Sequence, residues 1–390
     1  FYVYNRLVSL NEVGRDPEEF GIPLEAFHRQ NRFRHKHSPH SMLTLTTHDT
    51  KRSEDVRARI NVLSEIPREW KAALTRWHGL NAGKKQNVDG EVAPDRNDEY
   101  LLYQTLIGAW PARPPTAAEF DEFRDRIAAY MVKAIKEAKV HTSWVNPNEA
   151  YDQAMDHFVR GILAATADDA FIDDFSRFRQ RIAYAGMVNS LAQTLLKITS
   201  PGVPDFYQGT ELWDLSLVDP DNRRPVDFAK RSKFLRAIKD CERENRGLLA
   251  SELLETWPDG RVKLYVTHCA LAFRRTRPEI FQDGDYLPAY AAGAMRDHVC
   301  AFLRRRANSC MLVAVPRFLT ALVPPGEKLT GGAIWQDGAL ALPDNAPSEW
   351  LNIFTGEPAG ATRASTKSSL PLSSLFARFP VALLTPISGE

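Results

Sequence analysis

The chain has 390 residues, 44% of them hydrophobic, so it exceeds one ordinary domain and can bury a large core. Lys and Arg number 50 against 49 Asp and Glu, which leaves no net field to recruit nucleic acid or an anionic membrane surface, and no apolar run reaches membrane-spanning length. The four cysteines (Cys241, Cys269, Cys300, Cys310) are scattered with no C-x-x-C pair, which predicts reduced, mostly buried thiols and neither a disulfide nor a zinc site.

The first predicted element is an amphipathic helix from Leu24 to Arg34. It runs into His35-Lys36-His37-Ser38-Pro39-His40, whose imidazole density looks metal-like. A basic helix end, favoured by the helix dipole, explains that cluster without a metal. Next comes an apolar, β-prone run from Met42 to Thr46 that ends abruptly in His48-Asp49. Val56, Ile60 and Leu63 then recur at i, i+4 and i+7, a helical spacing. An acid and an imidazole therefore sit at the C-terminal end of a strand, before a helix. In barrels of alternating strands and helices that end builds the active site. The competing reading is a strand-to-helix turn in which Asp49 or Thr50 caps the helix and the basic neighbours are solvated.

Residues 51–198 are dominated by helical patterns. Asp98 to Trp110 places Tyr100, Tyr103, Leu106 and Ile107 on one face, and Thr116 to Lys139 and Ala150 to Ala165 are two more helices. The segment from Ser200 to Asp214, continuing to Asp227, packs carboxylates, an amide, arginines and aromatics between Pro and Gly residues. Aromatic faces suit the apolar faces of sugar rings, and carboxylates, amides and Arg forks suit their hydroxyls. An ordinary surface loop with an internal salt-bridge network is the alternative. Helices are predicted at Ser232 to Cys241 and Val262 to Arg275. From Asp285 the texture changes to short strands, at His298 to Leu303, Cys310 to Val315, Ala339 to Leu342, Trp350 to Phe354 and Phe379 to Leu384. That pattern predicts an all-β, sandwich-like C-terminal domain, read as scaffolding rather than glycan binding, with Ala361 to Ser374 as a mobile loop.

Several strings together resemble the α-amylase clan of glycoside hydrolases, and within it the maltooligosyltrehalose synthases. They are Tyr4-Asn5-Arg6-Leu7 with Leu10-Asn11-Glu12-Val13-Gly14, His48 through Arg59, His141-Thr142-Ser143-Trp144-Val145-Asn146-Pro147-Asn148, Gly186-Met187-Val188-Asn189-Ser190-Leu191-Ala192-Gln193, Glu211 through Asp227, and Trp257-Pro258-Asp259-Gly260-Arg261-Val262-Lys263. They run over nearly the whole chain. Arg15 departs from the family's more usual Gly after Gly14.

The resemblance implies the last two strands of a (β/α)8 barrel of the TIM type, the seventh ending at His48-Asp49 and the eighth lying, with its following loop, in Pro201 to Glu211. The implied organisation is residues 1–50 as the end of the barrel, 51–198 as a large helical insertion, 199–281 as the eighth strand with its loop and closing helices, and 282–390 as the β domain. The implied reaction is an intramolecular transglycosylation, catalysed by a (1→4)-α-D-glucan 1-α-D-glucosylmutase. The reducing-end α-1,4 link of a maltooligosaccharide becomes an α,α-1,1 link, in a cytoplasmic route of trehalose biosynthesis with no cofactor and no metal. Asp49 is the implied transition-state stabiliser, with His48 beside it. Lys51, Arg52, Glu54, Asp55, Trp144, Tyr207, Gln208, Glu211, Asp214, Asp219, Asp221, Arg223, Arg224 and Lys263 are the implied residues for substrate binding or for bracing the pocket. The family's nucleophilic Asp and acid/base Glu belong to earlier strands and have no counterpart here, and Phe1 is not an initiator Met. The chain is thus expected to be the C-terminal portion of a longer enzyme, and inactive alone. A hydrolase of the same clan and a non-catalytic glycan-binding or structural fragment are the rival readings. The expected partner is a maltooligosaccharide, with no nucleic acid and no membrane; the residues leave the oligomeric state open.

Overall fold

A computed structural model describes residues 1–164, 169–324, 327, 329–364 and 367–387. The chain divides into two compact units: Phe1–Phe20, Thr46–Met187 and Asp214–Arg224 form one, and Gly21–Leu45, Val188–Trp213 and Pro225–Glu390 form the other. In chain order the elements begin with α1 (Leu24–His37), β1 (Met42–Leu43), α2 (Glu54–Asn61), α3 (Pro67–Asn81), β2 (Gln86–Val88), β3 (Glu91–Ala93), α4 (Arg96–Ala109), α5 (Ala117–Ala138) and α6 (Glu149–Ile162). They continue with α7 (Ala170–Thr199), β4 (Val203–Pro204), α8 (Phe228–Glu244), α9 (Arg246–Glu255), α10 (Arg261–Thr276) and α11 (Pro278–Gln282).

The first unit is helical, and local chemistry sets its boundaries. Pro67 opens α3, where its missing N–H costs nothing. Asp95 caps α4 by accepting from the Asp98 N–H, and Asn148 caps α6 by accepting from the Tyr151 N–H. Thr116 and Glu119 form a reciprocal capping box at the start of α5, and Lys139 ends it in the left-handed conformation. The helices expected from periodicity at 98–110 and 116–139 therefore appear within two residues of their predicted ends. The third, predicted to reach Ala165, ends at Ile162; Ala165 itself lies outside the described residues. The core is an aromatic cluster in which Trp77 meets Tyr103 at 5.4 Å, Phe175 at 5.2 Å and Phe178 at 5.4 Å between ring centroids. Such offset and edge-on contacts add to the burial of large rings.

In the second unit β1 and β4 pair in parallel, with Met42 opposite Val203 and Leu43 opposite Pro204. Gly202, at φ +130°, is needed there: a Cβ would lie 2.7 Å from the Leu43 side chain and 2.9 Å from the Ser41 carbonyl. The strand expected from Met42 to Thr46 is thus only two residues long. Thr46 instead turns its hydroxyl to the start of α2, accepting from the Glu54 N–H at 3.0 Å.

The C-terminal part holds β5 (Asp285–Ala291), β6 (Val299–Arg306), β7 (Ser309–Pro316), β8 (Ala339–Ala341), β9 (Glu349–Asn352), β10 (Pro358–Gly360), β11 (Thr362–Ala364), β12 (Lys367–Pro371) and β13 (Ala382–Pro386). They hydrogen-bond in the order β10-β9-β13-β7-β6-β5-β8-β12-β11, each described neighbour antiparallel. The central strands β6 and β7 are buried along most of their length, as their continuous apolar runs require. The stretch from Ala361 to Ser374, expected as a mobile loop, instead contributes β11 and β12, with Thr362 opposite Ser369; residues 365 and 366 lie outside the described set. Its Ser and Thr content misled because β-branched and small polar residues also serve as outer strands.

Candidate active site

In the helical unit, the segment from Thr46 to Glu54 is a closed loop. Its ends are clasped by two bonds: the Glu54 N–H donates to the Thr46 hydroxyl, and that hydroxyl donates to Glu54 Oε2 at 3.2 Å. Inside it, the Thr50 hydroxyl donates to the Thr47 carbonyl at 2.9 Å, and the Asp49 N–H donates to the Thr47 hydroxyl at 3.2 Å. The Asp49 backbone is fixed in this way while its side chain stays 69% exposed, 4.0 Å from His48 Nε2, itself 65% exposed. Asp49 does not cap the following helix. Ser53 holds the N-cap position of α2, and its hydroxyl donates to the Asp214 carbonyl. The capping alternative raised by the sequence is therefore not the role of Asp49.

Lys51, half-buried, places its ammonium 5.1 Å from the Phe1 ring centroid. Arg52, Glu54 and Asp55 are buried and face inward. Arg52 donates to the Val8 carbonyl at 3.2 Å and to the Tyr130 hydroxyl at 2.6 Å. Asp55 Oδ2 accepts from the Asp214 N–H at 2.7 Å. An antiparallel bridge between Arg52 and Leu217, with the Ser53 N–H donating to the Ser216 carbonyl at 3.0 Å, joins this loop to residues 214–224.

That second segment is a braced loop. The Asp221 carboxylate takes a two-pronged bond from Arg126, at 2.7 and 2.8 Å, and a third from the Leu217 N–H at 2.7 Å. Burial alone raises the Asp221 pKa; the Arg126 guanidinium, with Arg224 and the Leu217 N–H, outweighs it and holds the carboxyl below its ordinary range. Asp219 and Arg223 pair at 2.6 Å, both partly exposed, and Arg224 reaches toward Glu122 at 3.4 Å. Asp214 Oδ1 accepts from the Ser216 N–H at 3.0 Å. Trp144 stands on another loop, 60% exposed, with Lys136 Nζ 4.9 Å from its ring.

Tyr207, Gln208, Glu211 and Lys263 belong to the other unit. Glu211 pairs with Arg231 at 2.9 Å, and Arg231 also donates to the Gly209 carbonyl at 2.7 Å. Tyr207 offers its carbonyl to the Thr210 hydroxyl at 2.7 Å, while Gln208 is exposed. Lys263 is fully buried, 6.0 Å from the Trp213 ring centroid.

Sequence reasoning did not single out Glu12, Ser53, Arg126, Asn222 or Arg231. Glu12 and Asn222 lie inside strings that carried the resemblance, so a signal existed for them. Arg126 had none, because the spacing of α5 does not reveal that its face meets a loop almost a hundred residues later. A group of Asp95, Asp98 and His141 brings potential metal-ligand atoms within 4.8 Å of one another. Protein donors account for it: His141 Nε2 lies 2.9 Å from Asp95, the Tyr151 hydroxyl donates to Asp98 at 2.7 Å, and Asp95 caps α4.

No protein-family model matches the chain. Curated proteins from two strains of Mycobacterium tuberculosis, both described as "Putative maltooligosyl trehalose synthase", are 39% identical over 384 residues, covering 98% of this chain and 42% of their own length. The solved maltooligosyltrehalose synthase of Arthrobacter ramosus is 36% identical, with a TM-score of 0.79 over 99% of this chain and 44% of that one. A structure described as DSM5389 glycosyltrehalose synthase is 33% identical, with a TM-score of 0.71 over 99% of this chain and 43% of that one. The chain spans less than half the length of the relatives it matches.

Proposed function

We propose that this chain, which belongs to the maltooligosyltrehalose synthase family and matches the C-terminal part of its members, supplies one wall of a catalytic pocket that isomerises the reducing end of a maltooligosaccharide. In this reading the α-1,4 link at the reducing end is broken and an α,α-1,1 link is formed to the same glucose, as in a glucosylmutase of trehalose biosynthesis in the cytoplasm. The nucleophile and acid/base carboxyls, which retaining chemistry of this kind requires, are assigned to residues outside this chain. Asp49 is assigned the stabilisation of the oxocarbenium-like transition state, and His48 a hydrogen bond to a hydroxyl of the same sugar. The chemistry needs no cofactor.

The observation that carries the proposal is the contrast at the 46–54 loop. Its backbone is bonded at Thr47, Asp49, Thr50, Ser53 and Glu54, yet the Asp49 carboxylate is left 69% exposed. A carboxylate carried on a backbone held in this way is placed to meet a cation that appears only in the transition state. The buried Arg52, Glu54 and Asp55 then brace the loop rather than touch sugar. The partly exposed Asp219, Arg223 and Arg224 remain available to the acceptor glucose, as does Trp144. Isomerisation rather than hydrolysis requires the released glucose to be held and turned before water attacks, so these residues form the acceptor side.

At the level of fold, the β1–β4 pair represents the seventh and eighth strands of a (β/α)8 barrel of the α-amylase clan, with residues 1–50 as the end of the barrel. Residues 51–198 form the insertion, 199–281 the closing part, and 282–390 a sandwich-like scaffold. The test is Asp49→Asn in the full-length enzyme, with trehalose-ended product and free glucose both assayed. Loss of trehalose-ended product is expected; unchanged turnover discards the assignment, and glucose as the main product of the parent enzyme marks a hydrolase.

A further inference from the structure

The loop that carries Asp49 is gripped from both sides by two buried side chains outside it. On one side Glu12, only 4% exposed, accepts from the Lys51 N–H at 2.7 Å and the Val13 N–H at 2.9 Å through Oε1. Its Oε2 accepts from the Arg52 N–H at 3.3 Å and lies 4.0 Å from Arg57 Nε. On the other side Asn222, 8% exposed, donates from Nδ2 to the His48 carbonyl at 2.9 Å. The two grips fall on the residue immediately before Asp49 and the second residue after it.

Holding a carboxylate out of water is costly, and Glu12 offsets that cost with three backbone N–H donors and the nearby Arg57 guanidinium. A helix or a strand would satisfy such donors by itself. Here the loop between Thr46 and α2 has a single bridge, Arg52 to Leu217, in place of a ladder, and the N–H groups of residues 51 and 52 donate to a side chain brought from 39 and 40 residues away. The His48 carbonyl depends in the same way on Asn222, 174 residues further along. Because Asn222 sits on the braced 214–224 loop, any displacement of that loop is passed to the backbone next to Asp49.

We propose that Glu12 and Asn222 are positioning residues that hold the Asp49 carboxylate at its working place, Glu12 through the 51–52 amides and Asn222 through the His48 carbonyl. The proposal rests on the reading of Asp49 as transition-state stabiliser. Glu12→Gln is the discriminating change: the amide keeps the volume but turns one acceptor into a donor that faces an N–H.

The test is a double-mutant cycle in the full-length enzyme, using Glu12→Gln, Asp49→Asn and the pair, with kcat and KM measured on a maltooligosaccharide and folding followed by thermal melting. A misplaced charge lowers kcat by roughly 10- to 100-fold and moves KM by less than about twofold. In the Asp49→Asn background the same change adds less than about twofold, because its target is already gone. Asn222→Ala run through the same cycle gives the same non-additivity, and it decides the matter should Glu12→Gln fail to fold. Losses that multiply in the double variants, or a Glu12→Gln enzyme with parental kcat, overturn the proposal while leaving the role of Asp49 intact. Parental turnover from Asp49→Asn alone overturns both.

Discussion

Asp98 shows how a single buried group makes its cost visible in pH. It accepts from the Tyr151 hydroxyl, and burial pushes its pKa up from 3.8 to about 6. The folded protein therefore holds this proton more tightly than the unfolded chain. The penalty for the ionised form is absent below about pH 4, grows between pH 4 and 6, and is complete above pH 6. Asp98→Asn keeps an acceptor for Tyr151 and removes the charge. The variant is expected to be more stable than the parent at pH 7 by up to about 3 kcal/mol, with the difference vanishing near pH 4, as read from urea midpoints across that range. Gly186 tests close packing in the same unit. A Cβ there would lie 2.5 Å from Arg59 Cγ and 2.9 Å from Arg59 Cα. Arg59 cannot move freely, since it is buried and donates to the Gly108 and Trp110 carbonyls. Gly186→Ala should therefore cost about 1–3 kcal/mol, seen as a lower denaturation midpoint at unchanged slope.

At the scale of elements, the helices announce themselves and their partners do not. Thr116 and Glu119 form the capping box of α5, and Glu119 is further held by Arg113. Thr116→Ala is expected to destabilise the helical unit by about 1 kcal/mol, with hydrogen exchange accelerating first at the amides of residues 117–120. The predicted limits of α5 fell close to the truth because its cap, its apolar periodicity and its left-handed end all lie within the segment. The 46–54 loop is the opposite case. The sequence showed a run ending in His48-Asp49 and a helix beginning soon after, but not that β1 would stop at Leu43 or that Ser53, rather than Asp49 or Thr50, would hold the N-cap position. The groups that hold the loop come from Glu12, Asp214 and Asn222, none of them local.

At the scale of the whole molecule, the chain corresponds to 42–44% of the length of its relatives. The β1–β4 pair, two residues per strand, cannot close a barrel by itself. On the proposed function, the 390-residue chain alone is expected to give no trehalose-ended product from maltooligosaccharides under conditions in which a full-length maltooligosyltrehalose synthase turns over. Measurable isomerase activity from the purified chain would contradict the placing of the nucleophile and the acid/base outside it.

The sequence by itself determined the helices of the first unit, the strand-rich character of the C-terminal part, the resemblance to maltooligosyltrehalose synthases and the place of Asp49 between an apolar run and a helix. Each is written in neighbouring residues, as periodicity, caps or an unbroken string. Only the tertiary structure decided that Asp49 stays in solvent while Arg52, Glu54 and Asp55, three to six residues later, turn inward. Burial of a charged side chain depends on which distant donors and acceptors arrive to satisfy it. For Arg52 those groups are the Val8 carbonyl and the Tyr130 hydroxyl, and for Asp55 the Asp214 N–H, 159 residues along the chain.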